Sequence, residues 1–467
     1  MSAQEKFNRF VNRFPHARKP FFERPHLSRR ELFQVLGAGV TASVLTGPVR
    51  GGVVIDSAPV KTRNTAKNVI FILMAGAPSH TDTFDLKVVD GTTPKEFAPS
   101  QIGGILWPTG LMPKLADQLP NMAVVRSMRA WAAAHQIAQQ WVQIGRNPSA
   151  ALGDIAPNIG SIVAIEKEKD RRPGQVLPAF LALNSGGGIG SGYLSATYDP
   201  MRLVPSPTGI PNTTNSDGQQ RLANKTATLH TLDDNIRTNS VYGARMTDYQ
   251  DVASAAENLT YNSAVQRAFD YTTADSVRYG NTSFGNACLL AQKVLAADLG
   301  TRFVQITVVG WDMHSGIYGA NAAGGLFTLA KQFDAGVAAM LADLKASGQF
   351  DQTLVVMLGE FGRTVGKLTA NGGRDHFLQQ FVAFAGGGIQ GGRAIGTTDD
   401  QGASTVDPGW SRQRDVKPED VEATIYSALG INWTSVRYDD PFGRGFEYVP
   451  FSSREDLYGP INELWPA

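Results

Sequence analysis

Three apolar runs in the sequence lead into acids and histidines, and a fourth such group follows the last of them. Val69–Met74 leads to His80, Asp82 and Asp85, and Phe303–Val309 leads to Asp312 and His314. Leu354–Leu358 leads to Glu360 and Arg363, and the stretch GGRDHF follows with Arg374, Asp375 and His376. An ionised carboxylate at the end of a buried strand costs several kcal/mol unless something balances its charge. Carboxylates and imidazoles together, without thiolates, are ligands for a hard or borderline divalent ion: Zn²⁺, Mn²⁺, Fe²⁺, Mg²⁺ or Ca²⁺. Such ions clamp an ester oxyanion and acidify bound water. The expected chemistry is therefore metal-assisted hydrolysis, with Asp82, Asp85, Asp312, His314, Glu360, Asp375 and His376 as expected ligands. Arg363 or Arg374 is expected to hold an anionic substrate group. Each residue also has a plainer use. Asp85 and Asp312 could cap turns, His314 could be a core histidine, and Glu360 could pair with Arg363.

These groups meet only if the strands that carry them lie side by side. Helical and strand-like segments alternate along the chain, as in GNACLLAQKVLAADLG before RFVQITVVGWDMH and GLFTLAKQFDAGVAAMLADLKASG before TLVVML. That alternation predicts a doubly wound, mostly parallel α/β sheet, whose functional groups gather at the carboxyl ends of the strands. The polar segment 197–282 shows no strong strand and is expected to be a helical or loop insertion. The glycine-rich NSGGGIGSGYL and FAGGGIQGG fit neither a phosphate loop nor a dinucleotide fingerprint, and read as turns. Cys288, the one cysteine, lies on the apolar side of a helical pattern and reads as a small buried hydrophobe.

The chain has 467 residues, with 43 Lys+Arg against 42 Asp+Glu. That balance gives no field directed at nucleic acid. Near the N-terminus SRRELFQVLGAGVTASVLTGP sets Arg29–Arg30 before a short apolar run broken by Gly37 and Gly39. The run is too short and broken for a stable membrane span, and the arginine pair marks a twin-arginine signal. Residues 1–58 are therefore expected to be signal and leader, and 59–467 the mature domain. A periplasmic or secreted location follows, with the twin-arginine machinery as a partner. That route carries folded proteins, which raises the expectation of a metal acquired before export.

FILMAGAPSHTDTFDLK, VVRSM with the following His135, GWDMHSG, LGEFGRT and GGRDHF together resemble the bacterial domain-of-unknown-function family 1501. Members of that family are commonly exported by the twin-arginine route, and the family resembles a remote branch of the alkaline phosphatase and sulfatase superfamily. The resemblance implies an alkaline phosphatase-like fold and a small anionic ester as substrate. It also implies a metal-binding Asp after the first strand, best matched by Asp82, and a later Asp and His matched by Asp312 and His314. Glu360 takes the place of an Asp whose usual His neighbour is here Phe361, and His376 matches a final histidine. At the helix AAAHQIAQQWVQIG, where the superfamily carries a Ser, Thr or Cys nucleophile, this chain has His135. His135 is then either a replacement ligand or a histidine nucleophile. The competing expectation is a non-catalytic exported binding or surface-assembly protein that kept the scaffold.

Overall fold

β1 (Asn68–Ala75, NVIFILMA) is buried at every position, as an unbroken apolar run requires of a strand covered on both faces. It is one of the inner strands of an eight-stranded sheet in a computed structural model that describes residues 55–56, 59–186, 188–214, 216–238, 240–319 and 325–466. All of these belong to the unit Val53–Ala467. The expected leader, 1–58, lies outside the described residues except for Ile55–Asp56, which pairs antiparallel with Val436–Arg437.

The other strands are β2 (Met122–Arg129), β3 (Phe180–Leu183), β4 (Met201–Leu203), β5 (Phe303–Val309), β6 (Thr353–Leu358), β7 (Gln379–Gly386) and β8 (Arg393–Ile395). Across the sheet they run β8-β2-β7-β6-β1-β5-β3-β4. β1 is parallel to β5 and β6, β3 is parallel to β5 and β4, and β8 is parallel to β2. β7 runs against both its neighbours. The reason lies in its connection. A parallel return needs a crossover, normally helical, whereas the chain between β6 and β7 forms a two-residue antiparallel ladder, Gly362–Arg363 with His376–Phe377.

Helices cover both faces, as alternation along β1 demands. Val69, Phe71 and Leu73 pack with side chains of α2 (Ile159–Lys167) and α5 (Pro418–Ala428), among them Ile162, Val163 and Ile425. Ile70, Ile72 and Met74 face the opposite layer of α3 (Ser283–Ala297) and α4 (Leu326–Ala346), with Val294, Phe333 and Leu341. Cys288 is buried in α3, where desolvation pushes its thiol up and keeps it inert. The segment 197–282, expected as a helical or loop insertion with no strong strand, holds one three-residue strand and four α-helices among its described residues. It opens with β4, an edge strand set between Pro200 and Pro205 and too short to show a period of two. Helices then follow at Gln219–Thr238, Ala244–Leu259, Ser263–Phe269 and Thr273–Arg278. Among the described residues no helix is long and apolar enough to cross a membrane.

Candidate metal centre

The loops after β1 and β5 touch because Gly76 has no side chain. A Cβ there would stand 2.6 Å from the backbone nitrogen of Asp312, and its φ of +105° also favours glycine. A Cβ on Gly373 would likewise fall 2.0 Å from the carbonyl carbon of His314, so this glycine lets the GGRDHF loop close over the β5 loop. The antiparallel ladder sets Arg363 opposite His376. His135 arrives from another direction, as the first residue of α1 (His135–Ile144), which follows β2.

His135, Asp312, His314 and His376 each offer a ligand atom, and these atoms all lie within 4.8 Å of one another. The outer nitrogen of each imidazole is tied down. His135 Nδ1 donates to Glu360 Oε1 at 2.7 Å, His314 Nδ1 to Asp375 Oδ1 at 2.9 Å, and His376 Nδ1 to the carbonyl of Ala133 at 2.7 Å. With those protons placed outward, every Nε2 turns a lone pair inward. His314 Nε2 and His376 Nε2 face each other at 3.1 Å, and Asp312 Oδ1 lies 2.9 Å from His314 Nε2 and 3.3 Å from His135 Nε2. Arg363 donates to His314 Nε2 and to Asp312 Oδ1, and a cation or extra protons would relieve the lone pairs that still face one another. His135 Nε2 is buried without a hydrogen-bond partner, and so is Glu360 Oε2. The donor set therefore fits a divalent ion, with three imidazoles and a carboxylate inside and acceptors behind them.

Protonation responds to the same contacts. The Glu360 hydrogen bond raises the His135 pKa above its ordinary value, against the opposing effect of burial. Burial lowers that of His376, helped by the charge of Arg363. At Asp312 burial works to raise the pKa, but the hydrogen bond and charge of Arg363, with His135 and His314, outweigh it and hold the carboxyl low.

Of the acids expected as ligands, Asp312 joins His314 and His376 in the cluster, and the others stand elsewhere. Asp82 is buried and held by Arg374, Nε to Oδ2 at 2.6 Å and Nη2 to Oδ1 at 3.0 Å, while the Tyr318 hydroxyl donates to Oδ1 at 2.6 Å. Asp85 is buried beside Thr398, Arg126 and Lys87. Glu360 and Asp375 lie one bond further out, as the acceptors behind His135 and His314. Glu360 Oε1 also accepts from Gly76 N and from Gln139 Nε2, each at 2.9 Å. His80 is a buried histidine stacked on Phe377, and its Nε2 donates to the Gly402 carbonyl.

Neither arginine has a hydrogen left for a substrate. A guanidinium has five N–H donors. Arg363 directs them to the carbonyls of Gly76, Ala77 and Arg374, to Asp312 and to His314 Nε2. Arg374 directs them to Asp82, to the carbonyls of Thr364 and Gly366 and to Tyr318. Both side chains are buried, so their expected grip on an anion gives way to a structural one. The sequence reading passed over Gln139 and Gln143, although their spacing of four and eight from His135 puts them on its helical face.

Fold and site together define an α/β protein with a mixed, mostly parallel eight-stranded sheet and a candidate metal centre at its carboxyl edge. The chain belongs to the family described as protein of unknown function DUF1501, whose model matches residues 66–454. No curated protein matches it by sequence. Its fold is similar to that of the PsFucS1 sulfatase from Pseudoalteromonas sp., at 12% identity and a TM-score of 0.38, covering 78% of this chain and 68% of that one. It is similar to a protein in the alkaline phosphatase superfamily from Vibrio parahaemolyticus, at 11% identity and a TM-score of 0.34, over 81% and 69% of the two chains. A third likeness is to the C-terminal periplasmic domain of EcEptC from Escherichia coli, in complex with Zn, at 10% identity and a TM-score of 0.36, over 81% and 85%.

Proposed function

We propose that this chain is an exported, metal-dependent hydrolase of phosphate or sulfate esters. The observation that carries the reading is the convergence of three histidine Nε2 atoms and Asp312 with every outer nitrogen already bonded. His135, Asp312, His314 and His376 would hold the ion, and the imidazole majority favours a borderline ion such as Zn²⁺ over Mg²⁺ or Ca²⁺. Such an ion, when bound, supplies acidified water and charge neutralisation at an ester oxygen. The protein's own part is orientation. Glu360 fixes the tautomer and basicity of His135, Asp375 does so for His314, and the Ala133 carbonyl does so for His376. The positive end of α1 adds a fixed partial charge beside His135.

A second reading, a binding protein with a degenerate site, is favoured by one contact: Arg363 Nη2 lies 2.6 Å from Asp312 Oδ1 and already balances part of its charge. Metal analysis of the purified mature chain, followed by a panel of phosphate mono- and diesters and sulfate esters, separates the two. The hydrolase reading expects about one ion per chain and turnover that disappears in His376→Ala. A folded, ion-free and inert protein overturns it. Export rests on Arg29–Arg30. Replacing both with lysine is expected to leave precursor in the cytoplasm, and unimpaired export of that variant removes the location.

A further inference from the structure

Beside His135 and Asp312 opens a cavity of about 360 Å³ above the carboxyl ends of β1, β5 and β3. That volume is in the range of small-molecule sites, about 300–1,000 Å³. Its only ionisable lining groups among the described residues are His135 and Asp312, which belong to the metal centre. The remaining polar lining is neutral. α1 presents Gln139 and Gln143 one and two steps of four behind His135, so the helix that carries a ligand to the ion also carries two amides to the cavity.

A relay of side chains holds these amides still. Asn158 Nδ2 donates to Gln305 Oε1 at 3.4 Å, Gln305 Nε2 to Gln143 Oε1 at 2.6 Å, and Gln143 Nε2 to the Gln139 carbonyl at 2.7 Å. Gln139 Nε2 ends the chain on Glu360, and no described residue donates to its own Oε1. Across the cavity the hydroxyls of Ser185 and Thr307 pair at 2.9 Å, and Leu73 supplies apolar wall.

The geometry points to a leaving-group pocket for a neutral, hydroxyl-bearing ring of monosaccharide size. Amides and hydroxyls fixed in place exchange hydrogen bonds with alcohol groups, and aliphatic walls take the C–H edges of a ring. A second anionic group on the substrate would meet no cation there. Hydrolysis of R–O–PO₃²⁻ or R–O–SO₃⁻ adds one water and breaks the ester P–O or S–O bond; the water oxygen joins phosphorus or sulfur to release hydrogen phosphate or hydrogen sulfate, and a proton goes to the ester oxygen to give R–OH, the part this pocket receives. The inference rests on the ester-hydrolase reading, so two measurements keep the fates of the two apart.

In the first, kcat/KM of the full chain is compared for glucose 6-phosphate, glucose 6-sulfate, the two p-nitrophenyl esters and 3-phosphoglycerate. The sugar esters are expected to lead and the carboxylate-bearing ester to trail. Gln143→Leu is expected to lower the ratio of sugar-ester to nitrophenyl-ester kcat/KM about 10-fold, mainly through KM, the scale of a hydrogen bond or two. Ser185→Ala, outside the amide relay, is expected to shift the same ratio a few-fold if Gln143→Leu fails to fold. In the second, calorimetry reads binding of free glucose to the wild type and to Ser185→Ala, with no turnover required. Turnover with no sugar preference, or glucose that fails to bind, overturns the pocket and leaves the hydrolase standing. Glucose binding without turnover of any ester overturns the hydrolase and leaves the pocket.

Discussion

Asp82 and Asp312 follow neighbouring strands, β1 and β5, and the chain has put their carboxylates to opposite use. Asp82 is fully buried, and Arg374 and Tyr318 between them occupy both its oxygens. Asp312 keeps 46% of its side-chain surface and shares Oδ1 among Arg363 and the inner nitrogens of His135 and His314. A closed ion pair fixes loops to one another, while the open Asp312–Arg363 pair stands among three imidazole nitrogens, of which Arg363 donates to that of His314 and that of His135 is left without a partner. Left-over hydrogen-bonding capacity, more than residue type, separates a candidate metal site from a strut on this edge of the sheet.

The comparison breaks most completely at the open end. His314→Ala removes an inward nitrogen and frees Asp375, and is expected to abolish stoichiometric ion retention after desalting, read by elemental analysis. Wild-type protein at Zn²⁺ about 100-fold above Kd is expected to gain about 2.7 kcal/mol of stability by mass action. His314→Ala is expected to lose that gain in thermal melts. A variant that keeps both the ion and the gain would falsify the cluster as a metal centre.

At the closed end the loss is one of folding. Arg374→Met leaves Asp82 buried with the Tyr318 hydroxyl as its remaining close partner, and breaking a buried pair in this way costs about 3–5 kcal/mol. The double variant Asp82→Leu with Arg374→Met removes both charges and is expected to recover most of that loss in denaturant titrations. Ion content per folded chain is expected to stay at the wild-type level in both. If ion retention falls with Arg374 alone, Asp82 belongs to the open region and the distinction fails.

Glu360 lies between the two regions, closed by burial yet part of the open cluster through His135. His135, Gly76 and Gln139 all converge on Oε1, so Glu360→Gln preserves the acceptor and removes only the charge behind the imidazole. Loss of such an outer partner typically weakens a metal site about 10–100-fold. Competition against a chelating dye measures it, and unchanged affinity would show that the tautomer alone matters.

Much of this was legible in the sequence because strand-end chemistry is local. The apolar runs of β1, β5 and β6 were long enough to declare buried strands, and the doubly wound architecture followed from their alternation with helices. Asp312, His314 and His376 were all expected as ligands, and His135 was singled out as a ligand or nucleophile. What the residues could not disclose was which donor each acid would meet. Asp82 and Asp312 look alike as acids behind apolar strands, and only the fold brings Arg374, 292 positions away, onto one and Arg363 onto the other. The direction of β7 and the short edge strand β4 were also hidden, since neither a missing crossover helix nor a three-residue strand leaves a periodic signal.

The finest test compares two outer partners of the same kind in different solvent. Glu360 has 0% side-chain exposure and Asp375 has 61%, yet each accepts from the outer nitrogen of a histidine of the cluster at nearly the same distance, 2.7 and 2.9 Å. Water competes for an exposed carboxylate and screens its charge, so contacts of this sort contribute about 0–1 kcal/mol where buried ones contribute more. Asp375→Asn keeps an acceptor oxygen on His314, and is expected to weaken ion affinity no more than a few-fold, well short of Glu360→Gln in the same competition assay. Equal effects would mean that burial does not set the strength of these partners. A larger effect from Asp375 would mean that the GGRDHF loop closes over the site when the ion binds, converting an exposed acceptor into a buried one.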